Sequence, residues 1–270
     1  MLDAIWKRKS VRVFDQESLS KEDIDMILDL LVETNDSSAP FGHQINFFSI
    51  DGAPFDGQKL GTYGTVKHPS MVIGGFTEVS FDGFLDYGYL LEQLVLKITK
   101  LDIASVWEEG RFDPALFNQD EVSGKMIPAI CPLGYPKGKV LKKRQIHINP
   151  KKEQRKDIRE LAFVGKKLKP MNESDQYHEH IRAVQIAPSG SNKQPWRFVV
   201  IDQAIHMYLE PTKGYGQNLP KDIQAIDMGI ALRHLTYSLT AQNTNYTIER
   251  NKNVDYLKNA QYVCTVKIEK

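Results

Sequence analysis

Long apolar runs, cysteine and an excess of one charge are all scarce in this chain. Its best apolar stretches are as short as Met71-Val72-Ile73 and Phe198-Val199-Val200-Ile201, far below the ~20 residues of a membrane helix, so no membrane partner is expected. The opening Met1-Leu2-Asp3-Ala4 carries an early acid, and no apolar run follows the basic Lys7-Arg8-Lys9. That pattern predicts no secretory leader. The only cysteines, Cys131 and Cys264, lie far apart among apolar neighbours. They are expected as buried free thiols rather than a disulfide, a metal site or a nucleophile, which suits a reducing, cytoplasmic setting.

A formal net charge of +1 argues against a polyanion held by bulk electrostatics. Two basic runs, residues 137–144 and 151–169, hold a single aromatic between them, Phe163, rather than the interleaved aromatics of a nucleic-acid binder. No nucleic-acid partner is expected; a single phosphate group is better sized, with a solvated basic surface as the alternative. No carboxylate pair, metal cluster or nucleophile triad stands out. His178 and His180 are two apart on a polar helix and cannot share one face, so they are poor joint metal ligands.

The chain does have the means to fold: 270 residues, 41% of them apolar, can bury one large core or two modest ones. Helices are predicted at residues 3–9 and 20–33, the second with Ser20 as N-cap and Asp23 three residues on. Strands are predicted at 46–50 and 68–74, with Gly74-Gly75 as a stop or bulge, then a wide-faced buried helix at 82–100 and strands at 103–107 and 129–133. The order then restarts. Helices are predicted at 153–163 and 173–186, strands at 197–201 and 206–210, a second long buried helix at 221–239, and strands at 246–249 and 262–268. Each half reads helix, helix, strand, strand, long helix, strand, strand, which predicts an α/β fold of two similar halves, 1–150 and 151–270, packed like a fused dimer.

Local echoes support the repeat. Ala39-Pro40-Phe41-Gly42 stands where the first half should carry the counterpart of Ala187-Pro188-Ser189-Gly190. Asp86-Tyr87-Gly88 likewise matches Asp227-Met228-Gly229, placing a glycine inside each long helix, where a missing side chain permits close contact with a neighbouring helix or cofactor.

The most informative stretch is Ala187-Pro188-Ser189-Gly190-Ser191-Asn192-Lys193-Gln194-Pro195-Trp196-Arg197-Phe198, a polar, turn-rich loop running into an apolar strand. Its small residues let backbone approach a planar ligand while Ser, Asn and Gln supply donors and acceptors. A plain connector of similar composition is the alternative.

Four segments together resemble the nitroreductase family of flavoenzymes, and more closely its fused single-chain branch. Arg8-Lys9-Ser10-Val11-Arg12-Val13-Phe14 resembles the family's opening motif, which implies Arg8, Ser10 and Arg12 as ligands of flavin phosphate and ribityl groups, chemistry that guanidinium and hydroxyl suit. Pro188-Ser189-Gly190-Ser191-Asn192-Lys193-Gln194-Pro195-Trp196 resembles the loop that in the family crosses the dimer interface to the flavin. The resemblance implies Pro188, Ser189, Ser191 and Asn192 as cofactor-binding residues, with Gln194, Pro195 and Trp196 packing the loop. Val106-Trp107-Glu108-Glu109-Gly110-Arg111-Phe112 is similar to the segment behind the isoalloxazine ring, implying a backbone N–H of Glu109 or Gly110 toward the ring. Leu133-Gly134-Tyr135-Pro136 and the bases after it resemble the late strand and basic pair, implying that one or two of Lys142, Lys143 and Arg144 complete the phosphate site.

The resemblance implies an α+β nitroreductase-like fold with two three-layer halves as an intrachain pseudo-dimer, one FMN between them, and a chain that can stand as a monomer. The Pro40 loop has lost the Ser and Asn pattern, and no Glu-Gly element follows Asn245, so one complete flavin site per chain is expected. A flavin carries the hydride chemistry itself. Without a Rossmann glycine motif, NADH or NADPH is expected as a transient co-substrate and a nitroaromatic, quinone or similar flat molecule as acceptor. The alternative is a redox-inactive or sensory flavin-binding protein.

Overall fold

The computed structural model describes residues 2–58, 65–110, 112–117, 123–139, 141, 154–252 and 254–269. The first half contributes α1 (Asp3–Lys7), α2 (Lys21–Asn35), β1 (Asn46–Asp51), β2 (Met71–Glu78), α3 (Phe81–Lys100), β3 (Ala104–Ser105), β4 (Lys125–Met126) and β5 (Cys131–Gly134). The second contributes α4 (Ile158–Leu161), β6 (Ala162–Val164), β7 (Lys169–Pro170), α5 (His178–Gln185), β8 (Trp196–Ile201), β9 (Ala204–Leu209), α6 (Ile223–Ala241), β10 (Tyr246–Glu249) and β11 (Gln261–Ile268). Helix starts fall where side chains can cap them. Ser20 accepts the Asp23 N–H, Ser80 that of Gly83, and Asp222 those of Gln224 and Ala225.

Each half builds one sheet. The first runs β1-β2-β5-β3 with β4 on β2, and the second runs β10-β11-β9-β8-β6-β7. Read in the opposite direction, β8-β9-β11-β10 repeats the order β1-β2-β5-β3, and every pairing in both series is antiparallel. The element order expected of a duplicated unit is therefore matched by sheet topology, with the β6-β7 hairpin as the addition of the second half.

The halves meet through α3 and α6, both buried along nearly their whole length. Gly88 of α3 lies against the backbone of Ile226, where a Cβ would come within 2.2 Å of the Ile226 carbonyl oxygen. Gly229 of α6 lies against Leu85, where a Cβ would come within 2.0 Å of the Leu85 carbonyl oxygen. Leu85 precedes Asp86 and Ile226 precedes Asp227, while each glycine stands two residues after its aspartate. The contact thus maps onto itself when the halves are exchanged, the signature of an isologous interface.

The aspartates themselves hold the loops that open each half's first long strand. Asp86 accepts the N–H groups of Phe41 and His43, both at 3.0 Å, and Asp227 accepts that of Gly190 at 2.7 Å. Both are completely buried. Each loop is thereby tied to the helix interface of its own half.

Three readings of the sequence need correction. Gly74 and Gly75 lie inside β2 with unbroken pairing to β1, because side-chain space there is taken: a Cβ on Gly74 would meet Phe117 at 2.9 Å and one on Gly75 would meet Phe47 at 2.6 Å. The helix predicted at 153–163 shrinks to α4, and Ala162–Val164 instead joins β8 as a parallel strand. Its apolar residues serve both periods, and the sheet edge wins. The helix predicted from 173 begins at His178, after Tyr177 in a left-handed conformation, φ 68°. Cys131 and Cys264 are buried and free. Burial raises the Cys264 thiol to about 12 and Cys131 further still, so neither offers a thiolate.

Replacing Gly229 or Gly88 by Val should force the long helices apart. Overpacking of this kind costs about 1–3 kcal/mol, so each variant is expected to unfold at lower denaturant than the parent, and by a similar amount because the contacts are equivalent. An unchanged midpoint in either would remove the close crossing from the fold.

Candidate functional site

The N-terminal segment after α1 becomes extended and lies beside β3, with Ser10 bridged to Ser105 and the Val11 N–H donating to the Ser105 carbonyl at 3.0 Å. In extended chain, alternate side chains share a face. Ser10 and Arg12 therefore point one way, into a cavity of about 500 Å³, while Val11 packs the opposite way on the apolar cluster around Phe14 and Val106.

The chain leaving β3 runs along the same cavity. Trp107, Glu108, Glu109 and Gly110 line it, and a backbone bridge between Glu108 and Ile130 fixes their register. The opposing wall comes from the second half: Pro188, Ser189, Gly190 and Ser191, then Gly214 to Leu219, and Ile223 at the head of α6. Ser191 adopts left-handed backbone, φ 48°, and Gln194 does so as well, φ 50°. The loop keeps this shape because the Ser189 hydroxyl accepts the Gln194 N–H and the buried Gln194 amide bonds to Gln154, Lys156 and Asn192.

Seven residues singled out in the sequence thus meet around one cavity: Ser10, Arg12, Glu109, Gly110, Pro188, Ser189 and Ser191. Two others lie elsewhere. Arg8 is buried behind the cavity, its Nε 3.9 Å from Glu92, which also accepts the Trp107 indole N–H at 2.7 Å and contacts His234 at 2.8 Å. Asn192 turns its amide to the Gln154 carbonyl and is not among the lining residues. Lys142, Lys143 and Arg144 fall outside the described residues. His178 and His180 have different partners, Glu179 for the first and Ser238 for the second.

The electrostatics of the cavity floor were not legible in the sequence. Glu108 pairs with Arg12 at 3.0 Å, yet burial raises its carboxyl to about 7. Glu109 has neither carboxylate oxygen hydrogen-bonded, and burial raises it to about 8, with Lys221 opposing the rise and Glu108 adding to it. Asp227 is raised strongly by burial, and the neighbouring Glu109 adds to the effect. Lys221, donating to the Gly110 carbonyl at 3.2 Å, is lowered to about 8 by burial. Also missed was the loop around Tyr215. Its only sequence signal is the pair of glycines, Gly214 and Gly216, both at positive φ, that flank an aromatic just before a long helix.

A cavity of this volume falls in the ~300–1,000 Å³ range of small-molecule and cofactor sites, and it joins a guanidinium, several hydroxyls and glycine-lined backbone at a boundary between two halves. The family model described as "Putative TM nitroreductase" matches residues 1–239. The chain belongs to this family. As a nitroreductase relative it is an oxidoreductase enzyme.

Among solved structures, a "putative nitroreductase" from Thermotoga maritima MSB8 shares the fold over 99% of this chain and 93% of its own, with TM-score 0.58 and 18% identity. A nitroreductase with bound FMN from Bacteroides fragilis matches 55% of this chain and 95% of its own, TM-score 0.42 and 18% identity. An FMN-dependent nitroreductase from Clostridium difficile matches 56% and 96%, TM-score 0.43 and 17% identity. No curated protein matches at a significant level. No helix among the described residues is long and apolar enough to cross a membrane.

The raised carboxyls carry a pH signature. Glu109 binds its proton in the folded chain up to about 8, whereas an unfolded glutamate releases it near the ordinary ~4.3. The folded state therefore holds more protons across that window, and the stability of the parent relative to Glu109→Gln should fall as pH rises from about 4.5 to about 8. Denaturant midpoints of both proteins at several pH values measure the difference. A flat difference would mean that Glu109 is not desolvated.

Proposed function

We propose that the cavity between the halves binds one FMN and that the protein oxidises NADH or NADPH and reduces a flat acceptor such as a nitroaromatic or quinone. The observation that carries this reading is the convergence, on one cavity, of the Ser10-Arg12 segment, the Glu109-Gly110 segment and the Pro188-to-Ser191 loop. The donor set fits the group. Arg12 and Ser10 suit a phosphate or ribityl hydroxyls, and Ser189 and Ser191 suit the polar edge of a heterocycle.

The glycines fit a ring as well. Gly110 and Gly190 give the cavity walls of backbone rather than side chain, and at Gly190 a Cβ would sit 2.7 Å from both Glu109 Oε2 and the Tyr215 hydroxyl oxygen. When bound, FMN would supply the two-electron chemistry, leaving orientation and access to the chain. Arg12 would meet the phosphate while still beside Glu108, and Trp107 would be held by its bond to Glu92.

The test is anaerobic. Protein loaded with FMN is mixed with NADH or NADPH and then with a quinone. The flavin absorbance is expected to bleach much faster than that of free FMN and to return on adding the acceptor. A protein that binds FMN but is bleached no faster than the free cofactor would favour the redox-inactive flavin-binding alternative.

A further inference from the structure

Three buried side chains from three elements meet behind the cavity. Trp107, just past β3, lines the cavity and donates its indole N–H to Glu92 Oε2 at 2.7 Å. Glu92 lies on α3, and its other oxygen is 2.8 Å from Nε2 of His234 on α6. His234 Nδ1 faces the Ala183 carbonyl oxygen of α5 at 2.9 Å. Glu92 and His234 are completely buried. A carbonyl oxygen only accepts, so Nδ1 carries a hydrogen, and the contact between Nε2 and Glu92 needs one further proton between them, whichever group carries it. The cavity wall is thereby tied, bond by bond, to both long helices.

The pseudo-two-fold separates what the helix crossing requires from what it does not. Counted from the paired aspartates Asp86 and Asp227, the counterpart of Glu92 is Arg233 and that of His234 is Gln93. These two have other partners: Arg233 lies over the Tyr89 ring at 4.0 Å, and Gln93 donates to the Ser37 hydroxyl at 3.0 Å. Past β10, where Trp107 would have its counterpart, stands Asn251, which bonds to Glu249. The α3–α6 crossing is thus completed at one end without the buried carboxyl and indole found at the other. Burying a carboxyl is costly, and here the cost falls only at the cavity end.

We propose that Glu92 and His234 are positioning residues of the cofactor cavity: through the indole N–H they hold the Trp107 ring in one orientation, as a fixed wall of the FMN site. The inference rests on the FMN reading above. An indole turns about two side-chain torsions, and a bond at its N–H edge fixes both. A wall already in place before the ligand arrives removes part of the ordering cost of binding. Because His234 belongs to α6, the second half sets the wall that the strand end of the first half presents.

Two measurements on full-length apoprotein test this. Trp107→Phe keeps an aromatic ring and removes the donor, and Glu92→Leu removes the acceptor. Glu92→Gln keeps both bonds, because its amide oxygen accepts the indole N–H while an amide hydrogen takes the place of the proton beside His234. In FMN titrations the affinity is expected to weaken roughly tenfold in Trp107→Phe and Glu92→Leu, the worth of one hydrogen bond in a dry site, and to be retained in Glu92→Gln. Parent-like affinity in Trp107→Phe overturns the role, and so does a loss in Glu92→Gln equal to that in Trp107→Phe. Those two variants decide the matter even where Glu92→Leu does not fold.

The second measurement needs no flavin. The indole N–H resonance missing from the NMR spectrum of Trp107→Phe identifies that of Trp107, and its hydrogen exchange is expected to be slow in the parent and in Glu92→Gln. Exchange in the parent as fast as that of an exposed indole would overturn the network itself. A parent whose Trp107 indole is protected but which binds no FMN would overturn the flavin reading, and the positioning role with it, while leaving the network in place.

Discussion

Everything else in this structure depends on how closely α3 and α6 cross. Two helices normally sit 8–10 Å apart because side chains separate them, but here Gly88 and Gly229 bring the backbone of each helix onto the carbonyl of the other. That contact aligns the two sheets about an approximate two-fold. It also brings Asp86 and Asp227, each two residues before its glycine, under the loops that begin β1 and β8. The cavity is a consequence. It forms where the strand end of one half and the loop of the other are held against the same helix pair.

The pseudo-symmetry sharpens the contrast between its two ends. At one end, Gly190 and Ile223 line open space facing Glu109. At the other, the corresponding loop presents Phe41, and the position matching Ile223 is Asp82. Arg250, which follows β10 as Val106 follows β3, stacks over the Phe41 ring at 4.4 Å and forms a two-pronged pair with Asp82. A planar cation on an aromatic ring, tied to a carboxylate, takes the place that the proposed reading gives to cofactor at the first end.

Much of this was legible because it rests on local chemistry. Asp-x-Gly in both long helices, the Ser20 cap and the repeated element order follow from spacing, and the Pro188 loop declared itself by its small polar residues. What was not legible depended on distance in the fold. Nothing near Arg8 in sequence announces Glu92 and His234, so a guanidinium expected at the cavity was found behind it. The two buried carboxyls near Gly190 come from residues 109 and 227, and their raised protonation arises from burial, which Lys221 opposes at Glu109. Gly74 and Gly75 misled for the opposite reason: their lack of a side chain serves Phe117 and Phe47 rather than a turn.

On the proposed reading, one end of the pseudo-dimer is a cofactor site and the other is filled by the chain itself. The most direct measurement is the number of FMN molecules bound per chain at saturation, read by titrating full-length apoprotein of known concentration. One per chain is expected, and one again in Arg12→Ala, where Arg250 and Phe41 are intact and the binding is only weaker. Two per chain would contradict it, because Phe41 and Arg250 would then not close the second end; none would remove the flavin site altogether.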